Sequence, residues 1–152
     1  MISLWPYKIR YFTPHYKQDL LDFFSSLSKE SRILLSTCGI DPPTLYYLFR
    51  LDYKETIPLL IYEKKKIIAI AKLHLGERKG YLSSVAVLDS HQGKGIGTRM
   101  IKYLFALALM NRIDQIKTEV KEKNKKALSF FKKLGFVEVG RKDGLISLVR
   151  RL

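Results

Sequence analysis

Cysteine is almost missing from this chain: Cys38 stands alone among 152 residues. A lone thiol cannot form an internal disulfide, so the fold must hold by its core, in keeping with a reducing compartment, and Cys38 itself reads as a small buried hydrophobe. Long apolar runs are missing too. The hydrophobic share is 47%, yet no stretch reaches the roughly eighteen residues that a membrane span requires. The N-terminus MISLWPYKIRYF lacks an uninterrupted apolar segment with a small-residue cleavage site. The expectation is one domain over residues 1–152, cytoplasmic, with no membrane partner, as a monomer or a homodimer. No internal repeat or low-complexity segment is present.

Acidic residues are scarce: 14 Asp and Glu face 28 Lys and Arg, a net charge of +14. So large a balance attracts anions through its summed field. The charges lie scattered in small groups such as Lys64 to Lys66, Lys125-Lys126, Lys132-Lys133 and Arg150-Arg151. Helix-turn-helix, zinc-finger and ribonucleoprotein signatures are lacking, so nucleic acid is the weaker candidate and a smaller anionic ligand the stronger.

That ligand has an obvious place. Residues 89–98 read DSHQGKGIGT, preceded by the β-rich YLSSVAVL and followed by the amphipathic RMIKYLFALALMN. A glycine loop between a strand and a helix offers bare main-chain amides at the positive end of a helix dipole, which suits phosphate. Gly93, Gly95 and Gly97 remove the Cβ atoms that would keep a ligand off the backbone. A Walker loop is excluded because Gly93-Lys94 runs into Gly95 instead of Ser or Thr. A dinucleotide fingerprint is excluded because Thr98 stands where its third glycine belongs.

The pattern Gln/Arg-x-x-Gly-x-Gly/Ala, met by Gln92, Gly95 and Gly97, resembles the GNAT superfamily of N-acetyltransferases. A second block, Asn124, Ala127, Phe131 and Gly135-Phe136, is similar to that family's later Asn-x-x-Ala, aromatic, Gly-Phe pattern, in the right order and at the right separation. The resemblance implies an α/β (α+β) acyltransferase fold, with a mixed, mostly antiparallel sheet and helices on both faces. It implies acetyl-CoA as cosubstrate, with no metal. The loop residues Gln92, Gly93, Lys94, Gly95, Ile96, Gly97 and Thr98 would hold the pyrophosphate. Val85 and Val87 would hold pantetheine through main-chain bonds, and Asn124, Ala127 and Phe131 complete the set. Lys94 and Arg99, at the loop, and Lys125 and Lys126, in the second block, would serve the phosphates.

The element pattern agrees. A strand is expected over Tyr7 to Phe12, then a helix capped by Thr13-Pro14 with Tyr16, Leu20, Phe23, Phe24 and Leu27 on its apolar stripe. Two short helices follow, Lys29 to Thr37 and one opening at Asp41-Pro42. A meander of strands runs over Ile57 to Tyr62, Lys66 to Leu75 and Tyr81 to Leu88. After the loop come a helix to Met110, a strand over Gln115 to Val120, and a helix from the N-cap Asn124 to the C-terminal glycine Gly135. Strands Phe136 to Arg141 and Leu145 to Arg150 close a hairpin on Asp143-Gly144. The stretch SSLSKES with Leu51-Asp52-Tyr53 resembles the start of Pat-type protein lysine acetyltransferases.

Attack of an amine on a thioester sets further demands. The amine must be neutral, which at pH 7 costs a lysine about 4.6 kcal/mol and an α-amino group about 1 kcal/mol. A donor for the developing oxyanion is expected from a splayed strand around Val85 to Leu88. For the base, Tyr81 and Glu119 match in position the tyrosine and histidine that relay protons through water in certain protein N-terminal (RimI-like) acetyltransferases of the superfamily. Glu119 replaces the histidine, and a carboxylate can accept a proton through water. The other readings remain open: Glu119 as a surface partner of Lys117 or Lys121, and Tyr81 as a packing residue. His74, whose ordinary pKa is about 6.5, is the third candidate, with a structural histidine as its alternative. Glu77 falls in the expected hairpin turn. Where many GNAT enzymes have a general-acid tyrosine stands Phe131, which cannot donate a proton. The acceptor is expected to be a protein amine, with a small-molecule amine, or a non-catalytic module that binds coenzyme A, nucleic acid or an acidic protein, as the alternatives.

Overall fold

The structure is a computed structural model that describes residues 4–35, 39–51 and 55–152. Cys38, the end of the expected second helix, and Asp52-Tyr53 lie outside the described residues. The strands are β1 (Lys8–Tyr11), β2 (Thr56–Glu63), β3 (Lys66–Leu75), β4 (Lys79–Val87), β5 (Gln115–Lys121), β6 (Val137–Lys142) and β7 (Leu145–Arg151). They form one seven-stranded sheet in the order β1-β2-β3-β4-β5-β7-β6. All neighbours are antiparallel except β4 and β5, which run parallel. A parallel pair needs a crossover, and the 15-residue helix α4 (Ile96–Met110) supplies it.

Among the described residues, four further helices are α1 (Lys17–Ser26), α2 (Lys29–Leu35), α3 (Pro42–Arg50) and α5 (Lys125–Lys133). The expected first helix opens differently from its sequence reading. Thr13 makes no side-chain cap bond, and Pro14–Tyr16 form a 3-10 turn before α1 begins. At α3 the expectation holds: Asp41 accepts from the amide of Thr44 at 3.1 Å, with Pro42 behind it. The closing hairpin turns on Asp143 and Gly144, both with positive φ, 54° and 79°. That is the twist two-residue hairpins favour.

The sheet has two unlike faces. On one, the α3 end is bound to β3 by Lys72, only 1% exposed, whose Nζ donates to the carbonyls of Phe49 and Leu51. A helix C-terminus leaves such carbonyls unpaired, so they suit a buried ammonium. On the other, α4 meets Val87, the strand partner of Ala69 on β3. Here Leu82, Ile116, Thr118, Val120, Ile146 and Leu148 are buried while their alternate neighbours Tyr81, Lys117 and Glu119 are exposed. This leaves an open face at Tyr81, Lys117 and Glu119, on the β4–β5 part of the sheet.

Candidate active site: a splayed strand pair and a glycine loop

Ser84 organises the site. It has φ of 56°, and around it the β3–β4 register shifts, Ile70 pairing with Ala86 but Lys72 with Ser83. The extra residue is a β-bulge, which bends β4. Pairing of β4 with β5 covers only Lys79 to Leu82, opposite Gln115 to Thr118, so residues 83–87 diverge from β5. This is the splay the sequence led us to expect beside Val85 and Val87, both half-buried.

Beyond it lies the loop. Asp89–His91 form a 3-10 turn, then Gly93 and Gly95 both adopt φ of 79°. A Cβ added at either would meet nothing within 4 Å, so their bare faces open outward. No side chain caps α4, whose first residues Ile96, Gly97 and Thr98 follow directly. Open left-handed glycines before an uncapped helix N-terminus fit a diphosphate. Gln92 lies across the exit of β4, its Nε2 donating to the carbonyl of Val87 at 3.1 Å.

Three expected ligand residues have other roles in the structure. A Cβ at Gly97 would sit 3.3 Å from the ring of Phe130, so this glycine serves α4–α5 packing more than ligand approach. Phe131 is 4% exposed and stacks edge-on with Phe130 and Phe136, each at 5.1 Å, which puts it in the core and not on a ligand. Arg99 turns away from the loop: it donates to the carbonyl of Trp5 at 2.7 Å and lies over the ring of Tyr7. Asn124 caps α5 by accepting from the amide of Ala127 at 3.1 Å, binding these two candidates to each other. Lys94, Lys125 and Lys126 are exposed.

The three candidate proton-handling residues come together on the open face. His74 and Tyr81 are strand partners with ring centroids 5.8 Å apart, and His74 Nε2 lies 3.0 Å from Ser83 Oγ. Tyr81 pairs with Lys117, which puts Glu119 two residues along on the same face. Burial pushes the Tyr81 hydroxyl above its ordinary pKa, and the charge of Glu119 and a hydrogen bond to it add to the rise. Tyr81 is therefore a proton holder beside a carboxylate, not a phenolate. Glu77 is exposed in the β3–β4 turn, as its place in the sequence led us to expect.

Sequence reading missed one element of the site. Asp89, at the head of the loop, accepts from the amide of Ser28 at 3.2 Å and from the hydroxyls of Ser28 at 3.0 Å and Ser31 at 3.2 Å. This clamps the start of α2 to the loop across 61 positions of sequence. The serine-rich SSLSKES was visible, but nothing local named its partner.

With this geometry in view the family is plain: residues 19–136 match the acetyltransferase (GNAT) family, and the chain belongs to it. It is similar to an N-alpha-acetyltransferase of Sulfurisphaera tokodaii, 35% identical over 63 residues, 41% of this chain and 38% of that protein. Among solved structures, the GNAT domain of S. lividans PAT superposes with a TM-score of 0.83 at 20% identity, covering 96% of this chain and 90% of that one. An N-acetyltransferase of Thermoplasma acidophilum in complex with coenzyme A has a TM-score of 0.80 at 15% identity, covering 96% and 99%. At such identity these structures establish the GNAT fold. The matches span 22% to 41% of the length of the curated relatives.

Proposed function

We propose that this chain transfers the acetyl group of acetyl-CoA to a primary amine of a protein, a lysine side chain or an N-terminus. The observation that carries the reading is the junction of two features. Open left-handed glycines at 93 and 95 precede an uncapped α4, and a bulged β4 parts from β5 just before them. Family membership supports the same cosubstrate.

Bound acetyl-CoA would supply a thioester carbonyl open to attack. The amides of Gly93 to Thr98 fit its diphosphate, and the main chain at Val85 and Val87 fits an extended pantetheine arm. The edge of 83–87 that faces away from β3 has no strand partner among the described residues, so its N–H groups are suited to developing negative charge on the carbonyl oxygen. Glu119 would take the proton of the incoming ammonium through water, with Tyr81 orienting that water while staying protonated. A phenol near pKa 10 or above is a weak donor to a thiolate near 8.5, so Tyr81 does not fill the place left by Phe131. Such a leaving group departs tolerably without an acid.

Isothermal titration with acetyl-CoA, followed by thiol release with lysine-containing and free-N-terminus peptides, tests this. Both should respond, and mass spectrometry of the peptides tells ε-amines from α-amines. Cofactor affinity untouched in Gln92→Ala with Gly95→Glu overturns the loop assignment. Steeply salt-dependent nucleic-acid binding with no thiol release would replace the transferase by a binding module.

A further inference from the structure

The open face carries a charge pattern that the proton-handling residues do not use. Register places Lys79 opposite Gln115, Tyr81 opposite Lys117, and Gln115 opposite Arg151. Between His74, Lys79, Tyr81, Gln115 and Lys117 lies a cavity of about 370 Å³. That is within the size range of small-ligand sites. Among the described residues, two lysines line it and no carboxylate does. Asp114, the residue before Gln115, is taken up by Arg78 at 2.6 Å. At the other end of the same face stands Glu119, beside Tyr81.

We propose that this cavity is an acceptor subsite that reads a carboxylate on the substrate, held by Lys79 and Lys117 while the reacting ammonium meets Glu119. The inference rests on the transferase reading for the place of the amine, and adds the chemistry of the acceptor. One strand spacing of two residues separates Lys79 from Tyr81, and Lys117 from Glu119, about 7 Å. An extended chain covers that span in about two residues. The matching acceptor is a polypeptide with Asp or Glu about two positions from the acetylated amine. An α-amino acid's own carboxylate is too close to its α-amine to reach both ends. The ε-amine and α-carboxylate of free lysine do span the gap, so the same chemistry has a small-molecule source.

Two readouts separate this proposal from the transferase reading. The first is anisotropy binding of labelled peptides, acidic at the second position from the amine, to protein saturated with coenzyme A. The second is thiol release from acetyl-CoA with the same peptides. Acidic peptides should bind about tenfold tighter than glutamine versions and lose that margin as salt rises. Lys79→Glu with Lys117→Glu should reverse the order in favour of lysine-bearing peptides. An unchanged thermal midpoint shows that variant is folded, and the wild-type peptide series stands without it. Binding that ignores peptide charge, or a ranking unchanged in the double variant, overturns the subsite. Preference in binding without thiol release from any peptide overturns the transferase reading and keeps the subsite. Competition by free lysine assigns the site to diamino acids; its failure assigns it to polypeptides.

Discussion

Tyr81 and Glu119 stand on adjacent parallel strands, two residues out of step on one face of the sheet, and after burial it is the Glu119 charge that raises the Tyr81 hydroxyl's pKa. The relationship exists because β4 and β5 pair up to Leu82 and Thr118 and then part. The carboxylate thereby reaches the tyrosine at the mouth of the splay.

Replacing Glu119 by Gln should therefore do two separate things. Thiol release should fall by about 10²- to 10⁴-fold, the usual worth of a positioned proton acceptor. The Tyr81 titration should move down toward its ordinary value, since a neutral amide no longer opposes the phenolate. A difference spectrum against Tyr81→Phe isolates that one tyrosine from the nine in the chain. Lost activity with an unmoved Tyr81 titration would break the link between them.

The two kinds of glycine around the loop should answer differently to alanine. Gly95→Ala introduces a Cβ into open space at φ of 79°, so its cost is the left-handed backbone, about 1 to 2 kcal/mol. In a chain of this length that lowers the melting temperature by about 2 to 8 °C. Gly97→Ala instead presses on Phe130, and shortening that ring with Phe130→Leu should restore the lost stability. Phe130→Leu should do nothing for Gly95→Ala. Calorimetry of the four variants checks both.

Asp89 should give the fold part of its acid limb. Burial raises its pKa, but hydrogen bonds from the Ser28 amide, the Ser28 hydroxyl and the Ser31 hydroxyl outweigh that and hold it below the ordinary value. A group depressed in the folded state contributes stability above its unfolded pKa of about 3.9 and loses it as pH falls through the folded value. The clamp is exposed, so about 1 kcal/mol at pH 7 is the expected size after solvent screening. Asp89→Asn should melt lower at pH 7 and show a shallower loss of stability below about pH 4 than wild type. Parallel curves for the two proteins would contradict the assignment.

Lys72→Ala should be among the costliest substitutions on β3. It leaves the Phe49 and Leu51 carbonyls without their donor and opens a void against Phe49, whose ring the ammonium also faces at 5.6 Å. About 2 to 5 kcal/mol follows, read as a fall in the urea midpoint with little change of slope. Lys72→Arg keeps a donor and should recover part of it.

Much of this was legible in the chain itself, for reasons that are local. Lys66 to Leu75 is an apolar, β-branched-rich run bounded by turn residues, and it is β3 to the residue. Asn124 and Asp41 cap because their short side chains reach an amide three residues on, a matter of sequence spacing alone. The loop was recognisable because phosphate binding by main chain needs bare glycine between strand and helix. Thr13 shows the limit: a suitable cap residue before Pro14 makes no cap bond, because that first turn winds as 3-10.

What the amino-acid order determined by itself was the set of elements, the glycine loop and the family pattern, since each rests on residues near one another along the chain. Only tertiary structure decided which glycines face a ligand and which face Phe130, that Phe131 is core, that Lys72 is buried under α3, and that Asp89 holds Ser28. Tyr81, Glu119 and His74 were separate candidates until the sheet order put β4 between β3 and β5 and turned all three to the uncovered side. The physical reason is common to these cases: burial and long-range hydrogen bonding depend on which strand lies beside which, and period and spacing do not encode that neighbour.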